Sequence, residues 1–236
     1  MKDPVREVAR HLERVDPRLS SILREVGPTA PPRRPGGFPA LVRAIIYQQV
    51  SGAAGDAILR KVRATASGSG GPTPEWFRDS PIETLRGAGL SSQKSAYLRD
   101  LAARVLDGRL SFADLRRASD EEVVETLSEV HGIGRWTAQM YLLFNLGRPD
   151  VLPTGDLGLR KAVQRWYGFS RLPAERTVER VGRVWAPYRS HATYYLWRSL
   201  ALPAPAGEAP RSRKGPKLNG ASRRTSNLPK RRRRPR

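Results

Sequence analysis

Residues 127–141 read LSEVHGIGRWTAQMY, and the run His131-Gly132-Ile133-Gly134 at its centre decides the fold. Apolar residues recur at helical spacing on both sides of it, from Glu121 to Val130 and from Arg135 to Leu146. That period predicts two amphipathic helices joined by a four-residue turn. Ser119 or Asp120 is placed to cap the first of them. Glycine lets the chain turn tightly and lets an anion approach the backbone closely. The N-terminal end of the second helix favours the same charge. The turn therefore suits a phosphate without needing a charged side chain, and Ile133 is expected to anchor it in the core. Taken alone, Gly-x-Gly between helices fits a plain tight turn better.

Working outward, helical period dominates the first 202 residues. Val5 to Val26 carries apolar residues three or four apart, and Pro17 is expected to divide it into two helices. A proline-rich link, Pro28 to Pro39, leads into a second helical stretch, Leu41 to Val62. Ser67 to Pro74 reads as a loop. Further helices are expected near Ile82–Arg86, Gln93–Leu106, Phe112–Arg117, Leu157–Trp166, Ala174–Trp185 and Tyr188–Leu200. No alternating strand pairs and no internal repeat are found. The class is all-α: residues 1–202 form one compact helical body of two lobes, and residues 203–236 a basic tail.

The formal net charge of +21 predicts a polyanionic partner, nucleic acid before anionic membrane. The tail holds 12 Lys/Arg against one Glu and has almost nothing to bury, so it is expected to be disordered. It reads either as a DNA-binding arm or nuclear address, or as a solubilising tail. No run of 18 apolar residues exists to span a bilayer, and Met1-Lys2-Asp3-Pro4 opens no secretory signal. Zero cysteines exclude disulfides, thiolate nucleophiles and iron–sulfur ligation. Three histidines make a histidine zinc site a poor expectation. An intracellular protein fits best.

Four motifs in fixed order then resemble one family. Residues 127–141 resemble the helix-hairpin-helix of the HhH-GPD superfamily of DNA glycosylases. Leu152-Pro153-Thr154-Gly155-Asp156 resembles the loop presenting that superfamily's aspartate, though it is one residue longer than in some members. RAIIYQQVS, residues 43–51, resembles the helix and wedge loop of the alkylated-base branch, the 3-methyladenine DNA glycosylase II type. Trp185 to Ser190 and Tyr195-Leu196-Trp197 match the same branch. The resemblance covers about residues 40–200. It leaves no room for the N-terminal β-rich domain of the larger bacterial members.

The resemblance implies a DNA glycosylase acting on double-stranded DNA that contains damaged bases. A monomer is expected, placed in the bacterial cytoplasm on the nucleoid or, in a eukaryote, in the nucleus. Asp156 would stabilise the oxocarbenium-like transition state of N-glycosidic cleavage. On its own it reads first as the N-cap of the helix from Leu157. Trp136, Trp197 and Tyr47 would wall the base pocket, an electron-poor alkylated purine being held by stacking and cation–π attraction. Core packing is the alternative for each. Gln49 would fill the gap left by the flipped base; otherwise Gln48 and Gln49 are surface or cap residues. His131, Gly132, Ile133 and Gly134 would grip a phosphate. The carbonyls of Ser128, Val130 and Ile133 would hold a structural Na+ or K+, no other cofactor being required. Lyase members place a lysine where Trp136 stands, and no lysine lies between Lys94 and Lys161. That implies a monofunctional hydrolase for alkylated purines. The rivals are oxidised or deaminated bases on the same body, and a DNA-binding protein without catalysis.

Overall fold

The computed structural model describes residues 4–203 and is all-helical over them. The tail expected to be disordered lies outside the described residues, apart from its first position. The helices run α1 (Pro4–Val15), α2 (Pro17–Val26), α3 (Phe38–Tyr47), α4 (Gly52–Thr65), α5 (Pro74–Asp79), α6 (Ile82–Gly87) and α7 (Ser92–Leu106). They continue as α8 (Phe112–Arg117), α9 (Asp120–Ser128), α10 (Arg135–Tyr141), α11 (Leu157–Tyr167), α12 (Glu175–Gly182) and α13 (Arg189–Ser199).

Local chemistry sets several boundaries where the sequence places them. Pro17 begins α2, and the Asp16 carboxylate caps it by accepting from the Arg18 and Leu19 amides. Ser119 and Glu122 form a reciprocal capping box at the start of α9. Asp156 caps α11, its Oδ1 accepting from Leu159 N at 2.6 Å.

Four expectations need correction. Leu41 to Val62 is not one helix: α3 ends at Tyr47 and α4 starts at Gly52. Between them Gln48 is extended and Gln49 is left-handed, with φ 56°. The apolar period runs straight across this break, so in the sequence it is marked by the Ser51 cap and by the resemblance of residues 43–51 to a helix and wedge loop. The loop from Ser67 to Pro74 holds a 3-10 turn, Ser67–Ser69, and runs into a short helix absent from the expectations, α5, capped by Thr73, whose Trp76 and Phe77 pack into the core against α7. The helix after the hairpin loosens into a π-turn over Leu142–Leu146, ended by left-handed Gly147. The stretch Ala174–Trp185 is α12 followed by a 3-10 turn, Arg183–Trp185.

Two apolar cores make the two lobes. The first gathers α3 to α10, around Leu41, Ile45, Leu98, Leu101, Leu127 and Ile133. The second joins α1 and α2 to α11–α13, around Leu12, Leu19, Ile22, Leu159, Trp185 and Tyr195. Full burial of such side chains stabilises by about 1.5–3 kcal/mol each. The second core also encloses a carboxylate. Asp16 is buried and, besides capping α2, accepts from Trp185 Nε1 at 2.7 Å and from the Tyr167 hydroxyl. Burial, and then the adjacent Asp16, push the Tyr167 hydroxyl far above its ordinary pKa, so it stays a proton donor.

A cleft of about 790 Å³ opens where the lobes meet. Helix α3 along its length, Arg63 of α4, the hairpin helix α10 with the π-turn after it, the cap of α11 and Trp197 of α13 supply its walls.

Candidate active site

The capping carboxylate of α11 lies on the wall of this cleft. Besides Leu159 N, Asp156 Oδ1 accepts from Trp197 Nε1 at 2.8 Å, and Oδ2 accepts from Trp136 Nε1 at 2.8 Å. Two indoles from different helices thus fix both oxygens of one half-buried carboxylate. A plain helix cap needs only the amide bond, so this exceeds what capping requires. Asp156 is the one acidic group lining the cleft among the described residues.

The two tryptophans are held differently. Trp136 is 50% exposed, an exposure that core packing would not leave. Trp197 is half-buried and stacks on Phe144, with ring centroids 5.9 Å apart, and Arg34 lies over the other partner of that stack. Gly158 makes the approach possible: a Cβ there would sit 3.2 Å from Trp197 Cδ1 and 3.1 Å from Asp156 Oδ1. The segment before Asp156 is clamped to the start of α13. Arg189 pairs with Asp150 through two bonds of 2.7 Å, and the Ser190 hydroxyl donates to Arg148 O while accepting from Val151 N. The carboxylate and Trp197 are therefore fixed against each other from both sides.

Tyr47 also lines the cleft, but its ring is engaged already. The Arg43 guanidinium lies 3.8 Å from its centroid and donates to its hydroxyl, which in turn donates to Asp56. The ring also packs against Gly55, where a Cβ would come within 2.8 Å. A base reaching this wall meets Arg43 first. Gln49 is exposed at the tip of the loop between α3 and α4, beside the exposed Val50.

At the hairpin, Ile133 is buried as expected. Gly132 has φ 83°, and a Cβ on it would fall 2.1 Å from the Tyr97 ring. Not every amide of the turn faces outward. His131 N donates to Asp100 Oδ2 at 2.8 Å, and Ile133 N donates to Val130 O at 2.9 Å. Gly134 caps α10 without a side-chain partner. Burial pushes the Asp100 carboxyl up. The His131 amide and Arg104 outweigh that and hold it below the ordinary carboxylate range. This anchor is therefore present at neutral pH and lost as acid titrates it. Gly132→Ala is expected to cost about 2–4 kcal/mol through both clash and backbone strain. Duplex affinity should fall with it, and thermal melts with a DNA titration check both.

The family follows from a match across more than half of the chain. Residues 42–187 fit the model of the HhH-GPD superfamily base excision DNA repair protein. The chain belongs to that superfamily. Two Schizosaccharomyces pombe proteins place it within the family's 3-methyladenine DNA glycosylase branch. The alkylbase DNA glycosidase-like protein mag2 is 34% identical over 80% of this chain and 91% of its own length. DNA-3-methyladenine glycosylase 1 is 32% identical over 81% and 86%. Among solved structures, a DNA-3-methyladenine glycosidase from Bacillus halodurans superposes with a TM-score of 0.74 at 36% identity, covering 81% of this chain and 88% of that one. The S. pombe 3-methyladenine DNA glycosylase Mag1, in complex with abasic DNA, gives 0.74 at 31%, covering 82% and 96%. As a member of this branch, the HhH-GPD chain is a DNA glycosylase of base excision repair, a hydrolase by type.

Several residues of the site carry no sequence signal. Arg34, Met140 and Phe144 line the cleft, Gly158 makes room, and Asp100 ties down the hairpin. Each acts across the chain, where periodicity and spacing are silent.

Proposed function

We propose that this glycosylase hydrolyses the N-glycosidic bond of alkylated purines of the 3-methyladenine and 7-methylguanine type in duplex DNA. The carrying observation is Asp156, held by two indole N–H groups on the wall of a cleft that also presents Trp136 itself. The C1′–N bond breaks with its electron pair leaving on the purine. Positive charge builds on the sugar, where a fixed carboxylate stabilises it. Water attacks C1′ and gives up a proton, leaving free base and an abasic site. A base already cationic is the easier leaving group and the better partner for indole faces.

The other roles follow the same reading. The hairpin His131–Gly134 grips a phosphate, and the outward Gly134 end of α10 supports it. Gln49 enters the gap left by the flipped base. The carbonyls of Ser128, Val130 and Ile133 are neutral oxygen donors, the kind an alkali cation takes. Val130 O, with one bond from Ile133 N, keeps a lone pair for it. Hydrolysis without strand nicking is supported by the cleft lining, which among the described residues includes no lysine.

One observation favours a second reading. Arg34, Arg43 and Arg63 line the cleft, and cations there disfavour a cationic base while suiting neutral deaminated or oxidised ones or the flanking phosphates. Incubating the protein with methylated, deaminated and oxidised duplexes, and identifying the released bases by chromatography, separates the readings. Release of methylated purines first is expected. Release of only neutral lesions would overturn the proposal. Trp136→Phe, which keeps a ring but removes one donor to Asp156, is expected to slow release about tenfold. Single-turnover kinetics measures this.

A further inference from the structure

We propose that Gln48 is a positioning residue that locks the loop carrying Gln49 to the DNA-gripping hairpin, so that seating a phosphate and filling the flipped base's place become one event. The proposal rests on the glycosylase reading above. Its geometry stands on independent contacts. Gln48 Nε2 donates to Gly132 O at 2.7 Å, across 84 positions of sequence, and this bond is partly buried. A carbonyl only accepts, so the amide's nitrogen end must face it. The receiving residue cannot yield: Gly132 is left-handed and pressed on the Tyr97 ring.

The loop is held from a second direction. Lys94 Nζ, on α7, donates to Ile46 O at 2.6 Å, and burial lowers its affinity for a proton. Immediately past these two ties the chain passes through Gln49 with φ 56°, a conformation a non-glycine residue adopts only when its surroundings hold it there. Gln48 also lines the cleft that holds Asp156. One side chain thus touches the hairpin, borders the reaction space and precedes the strained tip. A misplacement of about 1 Å at such a joint costs on the order of a hundredfold in rate.

The test uses the full chain with Gln48→Met, which keeps length and removes the donor, and Gln48→Glu, which places a carboxylate against the carbonyl. Single-turnover release, duplex affinity, and fluorescence of 2-aminopurine placed beside the lesion are measured. For Gln48→Met, release should slow about 10–100-fold and the 2-aminopurine flipping signal should fall, with duplex affinity and Tm close to wild type. For Gln48→Glu, activity relative to Gln48→Met should rise as pH falls below neutral, because only a protonated carboxyl can donate to Gly132 O. If Gln48→Met lowers Tm too far, the activity of Gln48→Glu is referred to wild type at each pH instead, and the same rise is expected. Wild-type release and flipping in Gln48→Met, or a flat ratio, would overturn the positioning role and leave the glycosylase reading standing. A wild-type protein that releases no base fails that reading instead, and the flipping signal still reports on Gln48.

Discussion

Asp156→Asn is expected to slow base release by about a thousandfold, roughly 4 kcal/mol of transition-state stabilisation, with duplex affinity unchanged. The substitution removes the charge that opposes the developing sugar cation. It also puts an NH2 group in place of one of the two accepting oxygens. One of Trp136 Nε1, Trp197 Nε1 and Leu159 N must then face a donor. Helix capping survives, because asparagine caps about as well as aspartate, so the fold should hold. Chromatography of bases released from methylated duplex, beside a binding titration and a melt, separates the two effects. A variant that binds and releases normally would reduce Asp156 to a cap.

Asp16→Ala should be the most damaging substitution outside the cleft, lowering stability by about 3–5 kcal/mol. Asp16 accepts from the Arg18 and Leu19 amides, from the fully buried Trp185 indole and from the Tyr167 hydroxyl. Alanine leaves the indole and the phenol unpaired inside the second core and removes the cap of α2. Asp16→Asn retains the cap and should lose markedly less. Urea denaturation of the two variants measures the difference. Equal midpoints would mean that solvent reaches these groups.

How much of this was legible in the sequence depends on range. Pro17, Ser119 and Asp156 act within four residues, and their caps and breaks lie where local chemistry puts them. The hairpin was legible because two periodic runs flank an aperiodic Gly-Ile-Gly. The break after Tyr47 was not legible in the periodicity, because apolar spacing continues through it; only the resemblance of residues 43–51 to a helix and wedge loop pointed to it, and the left-handed Gln49 lies beside tertiary ties that spacing does not show. Helix α5 was hidden by the Gly/Ser/Pro run before it and by its single turn and a half. Within the site, the resemblance brought Asp156, Trp136 and Trp197 to one place, and the structure joins them by hydrogen bonds. It did not reveal that the Tyr47 ring is covered by Arg43, because an i,i+4 pair on a helix reads as surface decoration. Asp16 drew no reading from the sequence, since two of its partners lie some 150 positions away or more.

The second core takes its members from the two ends of the described chain, α1 and α2 on one side and α11–α13 on the other. For a chain made from its N-terminus, this sets an order of assembly. The central lobe, with the hairpin, has all its members once Val151 has emerged. The opening helices must wait, apolar faces uncovered, until Leu196 is made. Trp197, one donor to the Asp156 carboxylate, arrives in that same last stretch. A nascent or C-terminally truncated chain therefore has every member of the hairpin's lobe before Trp197 can pair with Asp156, and its unfinished lobe is where chaperones and proteases would find it.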